Sequence, residues 1–186
     1  GLKNGETVGT VSIAYGTGSA ANDAVGTYTS NVTPSAATGS TFTASNYAIT
    51  YVAGNIVVGA KAITVTADAK SKTYGTTDPT LTYTYTPALV VGDSFTGSLS
   101  RVVGQNAGTY AILQNSLALN SNYNLTYVGD NLTITKKPLD ITAINTTKTY
   151  NGLAFNGGNG VTYAGFVGAD NAANSLTGTL IYTGTA

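Results

Sequence analysis

The sequence predicts a mostly β fold, built as a tandem of small elongated β modules of sandwich-like or β-grasp-like kind, with at most a short helical turn in each. The first observation is an internal repeat. Asn131 to Ala143 reads Asn-Leu-Thr-Ile-Thr-Lys-Lys-Pro-Leu-Asp-Ile-Thr-Ala, a near copy of Asn-Ile-Val-Val-Gly-Ala-Lys-Ala-Ile-Thr-Val-Thr-Ala at Asn55 to Ala67, 76 residues earlier. The second is its periodicity: Leu132, Ile134, Leu139 and Ile141, like Ile56, Val58, Ile63 and Val65, fall on alternate positions, the spacing of a half-buried strand. The third is Pro138, which cannot donate to a sheet ladder and biases Lys137 toward an extended backbone. Lys136-Lys137-Pro138 is therefore a short, stiff seam that joins two strands, and with them two modules, in line.

Gly1 to Ala62 reads as the back part of a first repeat. Gly5-Glu6-Thr7-Val8 matches Gly92-Asp93-Ser94-Phe95, Val25-Gly26-Thr27-Tyr28 matches Ala107-Gly108-Thr109-Tyr110, and Asn46 to Val52 matches Asn122 to Val128, at spacings of 87, 82 and 76 residues. A spacing that changes in steps implies insertions in the loops between matched strands. Tyr47, Tyr51, Tyr123 and Tyr127 are expected on one face with Ile49 and Leu125, burying large rings while each hydroxyl finds a polar rim. The functional alternative for these rings is stacking on sugars.

Ile63 to Pro138 is the copy that runs from seam to seam. Ile63 to Asp68 is a strand, and Lys72-Thr73-Tyr74-Gly75-Thr76-Thr77-Asp78-Pro79 signals a turn. Leu81 to Thr86 alternates apolar or aromatic residues with Thr and predicts a strand. Pro87 to Asp93 is the place for a short helical turn, stopped by Gly92. Strands follow at Phe95 to Val103, Thr109 to Leu113, Leu117 to Leu119 and Tyr123 to Val128, and Gly129-Asp130-Asn131 reads as a tight hairpin turn. Leu139 to Ala186 is the front part of a third repeat. It reaches Lys148-Thr149-Tyr150, diverges through Asn151-Gly152 and Phe155 to Gly160, then recovers the pattern at Gly168-Ala169-Asp170 and Leu176 to Leu180.

Lys72 to Pro79, Leu89-Val90-Val91-Gly92-Asp93, Gly97 to Arg101, Ala107 to Tyr110 and Asn122 through Thr135 resemble the MBG repeat, the mostly β, glycine-rich family. Lys148-Thr149-Tyr150-Asn151-Gly152 resembles the sister YDG repeat, with Asn151 where that family has Asp. The resemblance makes 63–138 a complete MBG-like repeat and 139–186 the start of a YDG-like one. It implies a stalk segment of a large secreted bacterial adhesin or filamentous haemagglutinin-like exoprotein, extracellular or at the cell surface. Its partners would be neighbouring repeats of the same long chain, and it implies no enzymatic activity.

Composition bounds the chemistry. Eight basic and eight acidic residues in 186 give no net charge, so neither nucleic acid nor an anionic membrane is an expected partner. There is no Cys, Met, Trp or His. That leaves no base, nucleophile or soft metal ligand of the usual kinds near neutral pH. The one repeated acid, Glu6, Asp93 and Asp170, follows a Gly in a turn and is expected to cap it; Asp78 belongs to an Asp-Pro turn. No residue is assigned as catalytic, cofactor-binding or metal-binding, and no cofactor is expected. Recurrent alternate threonines (Thr64 and Thr66; Thr82, Thr84 and Thr86; Thr133 and Thr135) suit a solvated strand face better than an ice-binding grid, which needs short stacked coils. Sequons at Asn31, Asn124, Asn131 and Asn145 are no more than the abundance of Asn and Thr would produce.

A module of about 76 residues buries only roughly 60% of its unfolded surface, so each is marginal alone, and it is roughly 30 Å across. With Gly1 first, the chain reads as an excised piece whose two ends are complementary halves of one repeat, from which end-to-end self-association is expected. The function expected is rigid in-line spacing. The alternative is a module that binds cell-surface or matrix polysaccharide through exposed tyrosines.

Overall fold

The computed structural model describes residues 1–155 and 157–183, so Asn156, within the divergent Phe155 to Gly160 stretch, lies outside the described residues. The fold is mostly β. Contact density divides the chain into two compact units, each assembled from three segments: Gly1–Val65, Tyr85–Gly97 and Leu117–Thr126 in one; Thr66–Thr84, Ser98–Ser116 and Tyr127–Ala186 in the other.

In the first unit β1 (Val8–Tyr15), β2 (Gly26–Gly39) and β3 (Gly54–Val58) form an antiparallel sheet in that order. β2 is long for a strand and meets its shorter neighbours with three register shifts, two of them where Ser30 (φ 57°) and Ala36 (φ 49°) turn left-handed. An extra residue of this kind is how a strand absorbs a length mismatch. The displaced Ser30 N–H is satisfied by Asn55 Oδ1 at 3.0 Å. Phe42 is buried against Tyr47, ring centroids 5.2 Å apart.

In the second unit β5 (Lys70–Thr73), β7 (Ser100–Arg101), β8 (Gly108–Leu113) and β10 (Asn131–Thr135) form a mixed sheet in the order β5-β10-β8-β7. β10 runs parallel to β5, with Leu132 opposite Lys70, and antiparallel to β8. Leu132 and Ile134 on β10 and Ile112 on β8 are fully buried, while Thr133 and Thr135 face solvent as the alternation predicts. β11 (Asp140–Ala143) and β12 (Val161–Ala164) form a two-stranded antiparallel pair. Three further strands, β4 (Lys61–Ala67), β6 (Tyr83–Thr86) and β9 (Tyr123–Val128), hydrogen-bond in the order β6-β4-β9. β4 buries Ile63, Val65 and Ala67 and turns Thr66 outward.

The strand-seam-strand unit occurs twice, as β3 then β4 and as β10 then β11. The β1-β2-β3 order of the first unit matches β7-β8-β10 in the second, at the spacings read from sequence. Four expectations need correction. Tyr47 to Val52 is not a strand: a 3-10 turn at Ala44–Asn46 precedes it, Ile49 and Tyr51 are exposed, and Tyr51 spends its hydroxyl on the Ala37 N–H at 2.8 Å. Pro87 to Asp93 is not helical, and within it Val90 to Asp93 closes a β-turn. Among the described residues the one α-helical turn is α1 (Ala172–Ser175), started by an Asn171/Asn174 capping box. Phe95 to Val103 pairs only at Thr96 and at Ser100–Arg101, Leu117 to Leu119 pairs only at Ala118, and no strand forms at Leu176 to Leu180. Gly129-Asp130 makes no hairpin: β9 and β10 belong to different sheets, and the Asp130 carbonyl is taken by the Ile112 N–H at 2.7 Å.

Candidate functional site

The densest polar constellation lies in the second unit and begins with Lys72. Period-2 alternation on β5 turns this lysine inward, leaving its side chain 4% exposed. A buried ammonium must find partners for its three protons. It finds three: Thr76 O at 2.9 Å, Asp78 Oδ1 at 2.6 Å and Gln105 Oε1 at 2.8 Å. The Thr76 carbonyl is presented by the turn after β5, where Gly75 sits at φ 85° and the Thr76 N–H closes on Thr73 O. Gly75 has a second reason to be glycine, since a Cβ there would lie 2.3 Å from Val167 Cγ1. Asp78 also accepts from Arg101 Nε at 2.6 Å. Arg101 in turn donates to the Val102 and Gly104 carbonyls and lies over the Tyr110 ring at 5.3 Å.

The Arg101 hydrogen bond, and then that of Lys72, pull the Asp78 carboxyl down to about 2, and Asp78 raises Arg101 in return. A carboxylate locked between two cations neither takes up nor delivers a proton near neutral pH. Chemically the cluster is an anchor that ties the turn after β5 to β7 and to the loop before β8. Sequence reasoning placed Asp78 in a turn and missed its two cations. The available signal was Lys72, a charged residue at an inward strand position.

The repeated acids form the second constellation. Each N–H closes a turn onto the carbonyl three residues back: Glu6 to Lys3 at 2.9 Å, Asp93 to Val90 at 3.0 Å and Asp170 to Val167 at 3.0 Å. Glycine at positive φ (Gly5, Gly92, Gly168) makes each turn accessible. The expected acid cap is thereby corrected, because each carboxylate instead accepts a tyrosine hydroxyl: Glu6 from Tyr47, Asp93 from Tyr123 at 2.6 Å and Asp170 from Tyr74 at 2.8 Å. The acids lift the Tyr47 and Tyr74 pKa, and burial does so first for Tyr123. Of the four tyrosines expected in the core, Tyr123 is buried, Tyr47 and Tyr127 are half-buried and Tyr51 is exposed.

A third latch explains the Gly-Thr-Tyr copies. Tyr28 and Tyr110 each donate to the carbonyl four residues upstream, Ala24 and Asn106, at 2.8 Å. Both rings pack on a glycine, Gly18 and Gly104, where a Cβ would stand within 2.6 Å and 2.0 Å of ring carbons.

A cavity of about 300 Å³ in the first unit is lined by Asp23, Lys61, Val91, Asp93, Asn122 and Tyr123 among others, and one of about 320 Å³ in the second by Tyr74, Asn106, Ala107, Lys136 and Lys137. Tyr15, Tyr150 and Tyr182, the most exposed tyrosines, line neither. The Lys61 ammonium is committed to the Ala88 carbonyl at 2.7 Å. Among the described residues no group of three or more acids could hold a metal ion, and no helix is long and apolar enough to cross a membrane.

No curated protein and no solved structure gives a significant match to this chain. A family model does match, over residues 63–133, and the family is the MBG domain (YGX type). The matched stretch runs from β4 into β10 and includes Lys72, the Tyr74-Gly75-Thr76 step, Asp78 and Arg101. MBG domains are repeat modules of large surface or secreted proteins and are not a known enzyme family. The resemblance read from Lys72 to Thr135 is therefore supported over that stretch, where residues 63–133 match the MBG domain of the YGX type.

Proposed function

We propose that this chain is a load-bearing spacer segment of a bacterial surface or secreted adhesin, holding adhesive parts of a long protein apart by β modules joined strand to strand. One observation carries the reading. The chain enters the MBG domain through β4 and leaves it through β10, and each is a central strand, β4 between β6 and β9, β10 between β5 and β8. A pull along a central strand loads two ladders of hydrogen bonds together in shear, whereas an edge strand has one ladder to resist with. The Lys72, Asp78 and Arg101 anchor adds a cross-tie between β5 and β7, the outer strands of the exit sheet.

Single-molecule pulling on concatenated copies of 61–138 tests this. Unfolding in one cooperative, high-force step per module is expected, and gradual peeling at low force overturns the reading. A glycan array is the complementary arm, since a clear and specific sugar hit would install the polysaccharide-binding alternative in its place.

A further inference from the structure

We propose that Asn122 is the positioning residue of the first seam, a polar clasp that fixes the direction of the β1-β2-β3 sheet against β4 where the second seam has a proline. The clasp deepens the spacer reading, resting on it for its use and on the geometry for its existence.

The two seams differ in sequence at the place that decides stiffness. Thr135-Lys136-Lys137-Pro138 stands 76 residues after Gly59-Ala60-Lys61-Ala62, so the first seam has alanine where the second has proline. Proline locks its own φ and restricts the residue before it. The first seam lacks both restrictions, and only Gly59 and Ala60 separate β3 from β4. Its direction has to be set from outside the link.

Asn122 sets it, because its polar atoms reach both sides. Its side-chain Oδ1 accepts the Val25 N–H at 3.0 Å, a contact between residues 97 positions apart, and its carbonyl accepts the Lys61 N–H at 2.9 Å. Val25 is the residue before β2, the middle strand of its sheet, and Lys61 is the first residue of β4. One asparagine therefore holds the entrance to a strand that precedes the link and the entrance to the strand that follows it. A rotation at Gly59 or Ala60 moves Val25 relative to Lys61 and has to break one of the two bonds.

Asn122 is itself braced. Its N–H donates to Asn120 Oδ1 at 3.0 Å, and Asn120 Nδ2 donates to Asp93 Oδ1 at 2.9 Å, the carboxylate whose other oxygen takes the Tyr123 hydroxyl. That hydroxyl accepts the Val90 N–H at 2.9 Å, and the Lys61 ammonium reaches the Ala88 carbonyl on the same loop at 2.7 Å. The loop 88–93 and the turn 120–123 form one hydrogen-bonded block, and Asn122 attaches it to Val25. The acid latch accounted for the tyrosine of Asn122-Tyr123; the clasp accounts for the asparagine. All of these contacts lie within the first unit.

Nuclear magnetic resonance of the whole chain tests the clasp. Asn122→Leu keeps the bulk of the side chain and removes the acceptor, while Asn122→Asp keeps an oxygen in the place of Oδ1. In Asn122→Leu the Val25 amide should exchange with solvent about fivefold faster or more, the effect of losing one ordinary hydrogen bond, with the amides inside β2 and β4 unchanged. Residual dipolar couplings of residues 26–58 and of residues 61–65 should fit one alignment in wild type and in Asn122→Asp, and need two in Asn122→Leu. In the unmodified protein a scalar coupling should cross from the Val25 amide nitrogen to the side-chain carbonyl carbon of Asn122, so the bond is read even where a variant does not fold. Absence of that coupling overturns the proposal. So does an Asn122→Leu protein that still fits one alignment, or equal loosening in Asn122→Asp. Exchange that rises across β2 and β4 together with Val25 in Asn122→Leu overturns it as well, since that is the mark of a merely structural residue. Peeling at low force or a specific sugar hit removes the spacer reading and leaves these outcomes where they are.

Discussion

Replacing Asp78 with alanine tests how the MBG domain is held together. The substitution takes one acceptor from Lys72 and one from Arg101, whose side chains are 4% and 10% exposed, and leaves both cations in place. Breaking a fully buried pair costs about 3–5 kcal/mol, while fully exposed pairs are worth about 0.2–1. The Asp78 side chain is 41% exposed, so water partly replaces it, and about 2 kcal/mol is expected. In a domain of this size that is a fall in Tm of about 10 °C. Lys72→Met removes the buried charge itself and leaves Asp78 with Arg101, so it should cost less than about 1 kcal/mol. Acid should reproduce part of the larger loss. The folded Asp78 gives up its proton near pH 2, below the ordinary value of 3.8, so the unfolded chain binds more protons in between. Stability from this group is complete above about pH 4 and disappears as pH falls toward 2; after discounting for exposure it amounts to about 1 kcal/mol. Urea melts of both variants at pH 7, and of wild type and Asp78→Ala down to pH 2, measure each quantity. The reasoning is refuted if Lys72→Met is as damaging as Asp78→Ala, or if the gap between wild type and Asp78→Ala does not narrow in acid.

Other perturbations follow from the same geometry. Leu132→Ala should cost about 3 kcal/mol and its counterpart Ile56→Ala about 1, because only the first is fully buried; equal losses in denaturant melts would contradict the unequal closure of the two sheets. Tyr123→Ala should lower Tm clearly and Tyr51→Ala hardly at all, and unchanged melting in the first would return Tyr123 to the sugar-binding reading. Burial and Asp93 raise the Tyr123 pKa, so its contribution is intact below about pH 10 and is lost as pH rises beyond. Alkaline melts of Tyr123→Phe, which has no proton to lose, should fall less steeply than wild type. Gly75→Ala meets both a left-handed φ and the Val167 side chain and should cost about 2 kcal/mol or more by calorimetry.

Much of the fold was legible because strand alternation is a local signal. Ile63, Val65 and Ala67, and Leu132 and Ile134, declare their buried face by spacing alone, and the 76-residue copy identified the seam from both sides. Asn46 to Val52 shows where that signal fails: it copies Asn122 to Val128 in residues, yet a strand also needs neighbours, and the pattern does not say whether they are there. Gly129-Asp130 misled for a related reason. A short Gly-Asp link between two alternating segments is the local mark of a hairpin, and only the tertiary partner of Asp130 shows that the chain changes sheets. The site was half legible. The period of the acids exposed their importance, but Glu6 and Tyr47 are 41 residues apart, Asp93 and Tyr123 only 30, and Asp170 is served by Tyr74 from far upstream. No fixed spacing connects them.

The acids also explain how a chain with so little charge stabilises modules with small cores. Of its eight carboxylates, seven accept a hydrogen bond from the chain itself: Glu6, Asp93 and Asp170 from tyrosines, Asp78 from Lys72 and Arg101, Asp68 from Thr82, Asp23 from two amides and Asp130 from the Asn131 N–H. Only one of these seven answers to cations; the others answer to neutral donors at hydrogen-bonding distance. Salt weakens interactions between separated charges, with a screening length of about 3 Å at 1 M, and does little to a short bond from an amide or a hydroxyl. Sodium chloride from 0.05 to about 1 M should therefore change stability by less than about 0.5 kcal/mol, or about 3 °C in Tm. Thermal melts across that range, on wild type and on Asp78→Ala, separate the contributions. A large loss with salt in both proteins would mean that long-range charge pairing, and not local latching, holds the modules; a loss confined to wild type would assign it to Asp78 alone.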